Sequence, residues 1–322
     1  MIHTLSVVLL LGVSALAVSA AERDIPPLPK PITSLGAVTS DGHVYVYGGH
    51  SGKAHSYSNE TTLNTFHRLN LAKPAQWEEL PAGPIVQGLA LVAHEGGIIR
   101  IGGMQPRNKA SEKTDAVSIA SVSRFDPKSG KWEELPDMPA GRSSHDAVVV
   151  GDKLYVAGGW KMNGAGMDSE WHDKALVLDL KRAKPTWEVI EQPFKRRALT
   201  MAAFNGKVYV IAGLNSEGSA ERVVNIYDPE KKTWSKGADI AEGPMNGFTP
   251  AAVVVDGRLF LSPADGKLYR LDEKGTAWEE SGSLKHGRIV HRLVPSGDKR
   301  ALVIGGSSKG APVADVEEIT IK

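Results

Sequence analysis

Short apolar runs come in pairs along almost the whole chain, and a two-residue turn separates the members of each pair. In one copy, residues 145–150 lead into Gly151 and Asp152, and the second run follows as residues 153–157. Two β-branched, apolar-rich runs around such a turn predict a β-hairpin. Equivalent turns occur at 41–42, 96–97, 205–206, 256–257 and 297–298. The pattern therefore predicts six hairpins in succession.

A doubled glycine, or a degenerate form of one, ends the second run of every hairpin. The intact pair stands at 48–49, 102–103, 158–159 and 305–306. In the fourth and fifth hairpins the pair is degenerate, as Ala212 with Gly213 and Ser262 with Pro263. These marks recur roughly every 50 residues, a period that predicts the blades of a β-propeller. Because the glycines end strands and open no helix, they do not form a nucleotide-binding loop.

Each repeat continues with a polar loop, a third apolar run, a turn and a tryptophan. RFDPKSGKW at 124–132 and IYDPEKKTW at 226–234 show the order most clearly, with Asp-Pro setting the turn. The tryptophan opens a fourth strand, so each blade is predicted to have four. We interpret the regular tryptophans as packing wedges between blades, at Trp77, Trp132, Trp187, Trp234 and Trp278.

These residues resemble the kelch-repeat family across residues 21–322. The resemblance implies an all-β fold, a six-bladed kelch-type β-propeller. The sequence has six glycine pairs, counting the two degenerate ones, but five repeat tryptophans. The last repeat stops at its third strand, residues 316–321. DIPPLP at 24–29 aligns with ELPDMP at 134–139, the end of a fourth strand. The N-terminal segment is therefore predicted to close blade six as its outer strand, which removes an exposed sheet edge.

Two segments, SGSLKHGR at 281–288 and residues 302–321, are similar to the N-acetylneuraminate epimerase family, six-bladed sialic acid mutarotases. That resemblance implies a glutamate directly after the fourth inner hairpin and an arginine a few residues later. Leu214 stands in place of the acid, whereas Arg222 matches the arginine and is the candidate catalytic residue. Galactose oxidase, another exported kelch enzyme, needs a cysteine-modified tyrosine at copper, and its activity is excluded because the chain has no cysteine.

The first residues predict export. Residues 5–18 are apolar, and Val18, Ser19 and Ala20 have the small side chains of a signal-peptidase site. We therefore expect a signal peptide at 1–20, a propeller domain at 21–322, no membrane span after cleavage, and a periplasmic or secreted protein.

Lys plus Arg number 38 against 37 Asp plus Glu, so neither a nucleic-acid partner nor a basic surface is indicated. A monomer is expected.

Antiparallel strands alternate in direction, so the loops after the second and fourth strands of each blade share one face. Aligning the blades places Arg142, Arg196 and Arg288 at one equivalent position on this face, and His145 and His291 at another. Three guanidiniums converging on the channel mouth would suit a carboxylate or sulfate. In the alternative interpretation, each arginine pairs with backbone carbonyls or with an acid of a neighbouring blade.

Three aromatic residues in long loops complete the candidate ligand-binding set. Tyr57 lies in the long loop of blade one, and Trp160 and Trp171 fall outside the blade register of the wedge tryptophans. Exposed aromatic residues of this kind either stack on a sugar or pack the loop down. His50 and His55 lack a third ligand at suitable spacing, so no metal site and no cofactor are predicted.

The leading functional hypothesis is an exported propeller that binds an acidic carbohydrate or a protein partner on the loop-bearing face. Two alternatives stay open: a mutarotase-like carbohydrate isomerase, and a non-catalytic scaffold for protein contacts. The fold does not choose among them, since propellers carry unrelated activities.

Overall fold

The computed structural model describes residues 23–321, and this part of the chain is all β without a helix. The predicted signal peptide, residues 1–20, lies outside the described residues. In residues 23–321, no helix has the length and apolar character needed to cross a membrane.

The first three blades follow one another along residues 36–191. Blade one contains β1 (Gly36–Ser40), β2 (His43–Tyr47), β3 (Phe66–Asn70) and β4 (Glu78–Leu80). Blade two contains β5 (Ala90–His94), β6 (Gly97–Ile101), the loop hairpin of β7 (Met104–Pro106) and β8 (Ala116–Ser118), then β9 (Val122–Asp126) and β10 (Lys131–Leu135). Blade three contains β11 (Ser143–Val150), β12 (Lys153–Lys161), β13 (Glu170–Trp171), β14 (Lys174–Asp179) and β15 (Trp187–Glu191).

The last three blades occupy residues 196–320. Blade four contains β16 (Arg196–Arg197), β17 (Thr200–Phe204), β18 (Lys207–Asn215), β19 (Ala220–Asp228) and β20 (Thr233–Lys236). Blade five contains β21 (Ala251–Val255), β22 (Arg258–Ser262), β23 (Lys267–Leu271) and β24 (Trp278–Ser283). Blade six contains β25 (Arg292–Gly297), β26 (Arg300–Ile304), the loop hairpin of β27 (Ser307–Ser308) and β28 (Ala311–Pro312), and β29 (Val316–Thr320).

The predicted six-bladed propeller is confirmed. Each blade is an antiparallel sheet whose strands follow chain order from the axis outward. The inner strands β1, β5, β11, β17, β21 and β25 contact one another in a closed circle. Six apolar clusters fill the six seams between neighbouring blades. Because both faces of a blade are covered in this way, its central strands are apolar on both sides.

The repeat tryptophans are wedges, as expected, and each also makes an interblade hydrogen bond. In all five, indole Nε1 donates to a backbone carbonyl of the preceding blade's outer edge; Trp132 to Pro81 and Trp187 to Pro136 both measure 2.8 Å. Trp77 of blade one donates to Pro26 at 3.1 Å. Pro26 thus takes the place that Pro136 holds in a regular blade.

The prediction that the N-terminal segment closes blade six is therefore confirmed in position, although residues 23–28 do not form a regular strand. Leu28 N donates to Ala314 O at 2.8 Å and Ile32 N to Val313 O at 3.2 Å, just before β29. The Arg23 guanidinium adds an ion pair with Glu318. This segment covers the outer side of blade six.

A ring of six backbone groups closes the propeller at the entry to its channel. We call these residues the throat ring; one comes from each blade and all have positive φ: Ser34, Gly88, Ser144, Ala198, Thr249 and Val290. Around the ring, each amide donates to the carbonyl of the preceding blade's residue at 2.7–3.1 Å. The exception is Val290, whose amide donates to Thr249 Oγ1 at 2.9 Å.

An ion pair between buried Asp146 and half-buried Arg292 crosses the axis next to the throat ring. Arg292 Nη1 lies 3.1 Å from Asp146 Oδ1, and the guanidinium also donates to Leu35 O and Leu89 O at 3.0 and 3.1 Å. Asp146 Oδ2 accepts a 2.9 Å hydrogen bond from Met201 N. One arginine and one aspartate therefore connect five blades.

Replacing Asp146 by Ala should destabilise the propeller by about 1–3 kcal/mol, because the half-buried Arg292 charge loses its partner and the amide of Met201 loses its acceptor. The double variant Asp146→Ala with Arg292→Met should lose less than the sum of the single variants. Urea denaturation of all four proteins measures the coupling; strictly additive losses would show that the pair does not act as a unit.

Thr249→Val removes the acceptor of the Val290 amide without changing side-chain shape. We expect a loss of about 1–3 kcal/mol, the cost of an unpaired buried donor. Thr249→Ser keeps the hydroxyl and serves as the control. Equal urea midpoints for the Val and Ser variants would contradict the role of this hydroxyl.

Candidate functional site

A cavity of about 150 Å³ lies at the channel mouth, directly over the throat ring. Its floor is formed by throat-ring residues and by Arg292, and its sides by Tyr57, Arg197 and Phe248. We call it the mouth cavity. Because each inner strand enters the propeller at this point, every blade except blade two contributes a side chain here.

The three arginines predicted to converge on the mouth do not line this cavity. They are buried within their blades, where Arg142 donates to Gly158 O at 2.6 Å, Arg196 to Ala212 O at 2.8 Å and Arg288 to Gly305 O at 3.2 Å. These acceptors are the first residues of the intact or degenerate glycine pairs, and all three have positive φ. Each arginine therefore satisfies a carbonyl of its own blade.

Two of these arginines also bind acids, but these acids belong to the arginine's own blade and not to a neighbouring one. Arg288 Nη2 lies 3.2 Å from the buried carboxylate of Glu317, and Arg196 Nε lies 3.6 Å from Glu221. The geometry of Arg142, Arg196 and Arg288 supports an architectural role, in which their hydrogen-bonding capacity is largely used inside the fold.

Arg197, the neighbour of Arg196, lines the mouth cavity together with Arg292. Its guanidinium carbon lies 4.1 Å from the ring centre of Trp160 and 5.6 Å from that of Trp171. The two tryptophans are cross-strand partners in the β12–β13 pair, and their indole rings are tilted by 60° with centres 5.7 Å apart. Residues 23–321 supply no hydrogen-bond acceptor or acid for the Arg197 guanidinium. The stacking therefore positions a half-buried cation and leaves its donors free.

Tyr57 forms the side of the mouth cavity that faces Arg197. Burial raises the pKa of its phenol, while the Arg197 charge acts in the opposite direction, so the hydroxyl is neutral at physiological pH. Its ring packs edge-on against His50, with centres 5.1 Å apart. Asn108 Nδ2 donates to Tyr57 O at 2.9 Å and ties this loop to blade two. Tyr57, Trp160 and Trp171 are thus brought together around one cation.

His145 and His291 also line the mouth cavity, but both are buried and neutral. Neither ring nitrogen of either side chain has a hydrogen-bond partner within the described part of the chain. Burial, reinforced by Arg142, holds the pKa of His145 well below its usual value, and burial with the charges of Arg288 and Arg292 lowers that of His291 to about 3. Blades one, two and four carry Leu35, Leu89 and Leu199 at this position. The two histidines therefore replace leucines at an apolar site.

Arg222, the candidate catalytic residue, is not part of the mouth cavity. Its guanidinium donates to Ile240 O and to Glu242 Oε1, both at 3.0 Å. Leu214, in the place of the family's acid, is buried. These two positions do not assemble an acid and a base at the mouth.

One cluster of potential metal ligands lies elsewhere, at the hairpin turns of blades two and three. His94 Nε2 is 2.9 Å from Asp152 Oδ1, and Glu95 belongs to the same cluster. Lys181 Nζ is 2.6 Å from Glu95 and 3.9 Å from Asp152, so an ammonium group already neutralises these acids. His50, the other candidate, has its Nε2 bonded to Ser56 O at 3.1 Å.

Sequence reasoning missed Arg197 and Arg292. The sequence could have identified them as residues that differ from their equivalents in the other blades. At the position of Arg197, the other blades carry no arginine but Thr33, Gln87, Ser143, Phe248 and Ile289. The alignment favoured the arginines that recur, and these proved to be architectural.

Comparisons with known proteins agree with the kelch repeats predicted from the sequence. The family model described as Kelch motif matches residues 31–82, 88–139, 141–192 and 195–240. Kelch-like protein 35 of Mus musculus is 26% identical over 219 residues, covering 68% of this chain and 32% of that protein. Kelch-like protein 40 of Xenopus laevis is 28% identical over 221 residues, covering 65% and 32%. The chain thus spans about a third of the length of these relatives.

Among solved structures, that of YjhT superposes with a TM-score of 0.75 at 19% sequence identity. The match covers 92% of this chain and 97% of that one. At this identity the likeness shows a shared fold, and the function has to be argued from the site itself.

The two buried histidines should make stability depend on pH. Unfolded histidines bind protons below about pH 6.5, whereas folded His291 stays neutral down to about pH 3, so acid favours unfolding across that window. Replacing His145 and His291 by Leu should therefore reduce the stability lost between pH 6.5 and 4.5, by about 2–3 kcal/mol per histidine.

Urea midpoints at the two pH values measure this effect. The exposed residue His286 provides the control variant, His286→Leu, which should lose as much stability as the parent. An unchanged pH dependence in the double Leu variant would contradict the neutral, buried state of these histidines.

Proposed function

The chain belongs to the kelch-repeat family, and from that premise we propose that it binds an acidic carbohydrate at the mouth cavity through Arg197. The observation that carries this proposal is a guanidinium without an acceptor, stacked on Trp160 beside a cavity. We further propose that the protein acts outside the cytoplasm, after removal of the signal peptide predicted at residues 1–20.

The charge of Arg197 favours an anionic ligand. Arg292 is the other cation of the mouth cavity, and Asp146 already neutralises it. The charge of Arg197 is uncompensated and half-buried, and a low-dielectric surrounding strengthens its attraction for an anion. A planar guanidinium binds carboxylate or sulfate through two parallel hydrogen bonds, which adds orientation to charge.

The remaining side chains favour a sugar as the carrier of that anion. Tyr57, Phe248 and the Trp160–Trp171 pair supply ring faces and edges around Arg197. Ser34 and Ser144 line the cavity, and their hydroxyls make no side-chain hydrogen bond within the described residues. A concave site with two aromatic rings, several apolar side chains and a few polar groups is typical of small-molecule binding.

A protein partner is the second candidate, and exposed methionines favour it. Met167 and Met245 are 66% and 49% exposed, in loops of blades three and four that belong to the mouth face. Methionine adapts to varied partner surfaces. Carbohydrate isomerase activity has less support, because Leu214 offers no acid and Arg222 lies outside the mouth cavity.

Isothermal titration with N-acetylneuraminate and glucuronate, with glucose as the neutral ligand, tests the proposal. Arg197→Gln should weaken binding of the acids about 10- to 100-fold, the loss of one charged hydrogen-bond set. Arg182→Gln removes the same charge from the exposed turn between β14 and β15 and should bind like the parent.

Equal affinities of the Arg197→Gln and Arg182→Gln variants would refute the role of Arg197. If no acidic sugar binds the parent protein, the carbohydrate proposal fails, and capture of an acidic peptide by the parent but not by Arg197→Gln would then favour the protein partner.

A further inference from the structure

We propose that a second cavity beside the mouth cavity receives an apolar arm of the same ligand, so that the ligand is an acid with a short acyl or alkyl group. This inference rests on the proposed binding of an anion at Arg197. It narrows the ligand class from an acidic molecule to an amphipathic one.

The second cavity, of about 130 Å³, lies between the blade-one loop and the β27–β28 hairpin of blade six. It adjoins the mouth cavity, since four residues line both: Ser34, Tyr57, Phe248 and Val290. A ligand anchored at Arg197 has only Tyr57 and Phe248 to pass before one of its arms reaches the second cavity.

The two cavities differ in charge. Among residues 23–321, no lysine, arginine, aspartate or glutamate lines the second cavity, whereas Arg197 and Arg292 line the first. Burial lowers the pKa of His50, so this side chain is neutral, and its Nε2 is bonded to Ser56 O. Apart from one phenol and the imidazoles of His50 and His55, the lining therefore offers no titratable group to compensate a charged moiety, and the cavity suits an uncharged one.

Its walls are apolar and held in place. Ala54, Ile289 and Pro312 join the rings of Tyr57 and Phe248 on the lining. His50 and Thr33 exchange backbone hydrogen bonds of 2.8 and 2.9 Å, which fix the blade-one loop against the throat. A preformed apolar cavity binds an alkyl group with little ordering cost.

The test is a series of carboxylates with growing chains: acetate, butyrate, hexanoate and octanoate, titrated by NMR against the parent protein. Each methylene that enters the cavity should raise affinity about fourfold, since burying one CH₂ is worth about 0.8 kcal/mol. The increase should stop once the cavity is full.

Two variants locate the effect. Ala54 is exposed on the blade-one loop, and Ala54→Phe should fill the cavity, so that hexanoate binds no better than acetate. Ala110→Phe places the same ring at an exposed alanine outside both cavities and should keep the chain-length dependence.

The outcomes separate the two proposals. If carboxylates bind in an Arg197-dependent way with equal affinity at every chain length, the second-cavity inference is overturned and the proposed function stands. If Arg197→Gln binds all carboxylates as well as the parent does, the proposed function itself fails. A chain-length dependence that survives in Ala54→Phe would place the alkyl group elsewhere and also overturn the inference.

Discussion

The ion pair between Arg292 and Asp146 holds the propeller together at its axis. Burying a charge is costly unless its hydrogen-bonding groups are satisfied, and here the carbonyls of Leu35 and Leu89 and the amide of Met201 complete the partly buried pair. The throat ring then links neighbouring blades through five backbone hydrogen bonds and the Thr249 hydroxyl. With the axis closed in this way, the mouth cavity has a fixed floor, and the free cation beside it keeps a defined position.

The repeat separates architecture from function. A residue that recurs at equivalent positions of several blades solves a problem that every blade shares, such as the unpaired carbonyl at the first glycine of the pair. Arg142, Arg196 and Arg288 do this. A residue found in only one blade is not needed for a feature that all blades have in common. Arg197, Trp160 and Trp171 are of this kind, and they meet at the mouth of the channel.

The sequence predicts much of the fold, because hairpin turns, paired glycines and wedge tryptophans are local signals that recur in order. Even the closure of blade six by the N-terminal segment follows from aligning residues 24–29 with 134–139. The site is harder to predict for a physical reason. Neighbouring residues of an extended segment point to opposite sides, so Arg196 enters its blade while Arg197 faces the cavity. Likewise, Arg292 and Asp146 are 146 residues apart in sequence and meet only when the ring closes.

A crystal structure of the protein with N-acetylneuraminate at saturating concentration would test the central claim most directly. We expect the carboxylate of the sugar within hydrogen-bonding distance of the Arg197 guanidinium, with the sugar over the throat ring and the Arg292–Asp146 pair undisturbed. Sugar bound at the seam beside Arg288, or a mouth cavity left empty while the sugar occupies another surface, would contradict the assignment of this cavity as the binding site.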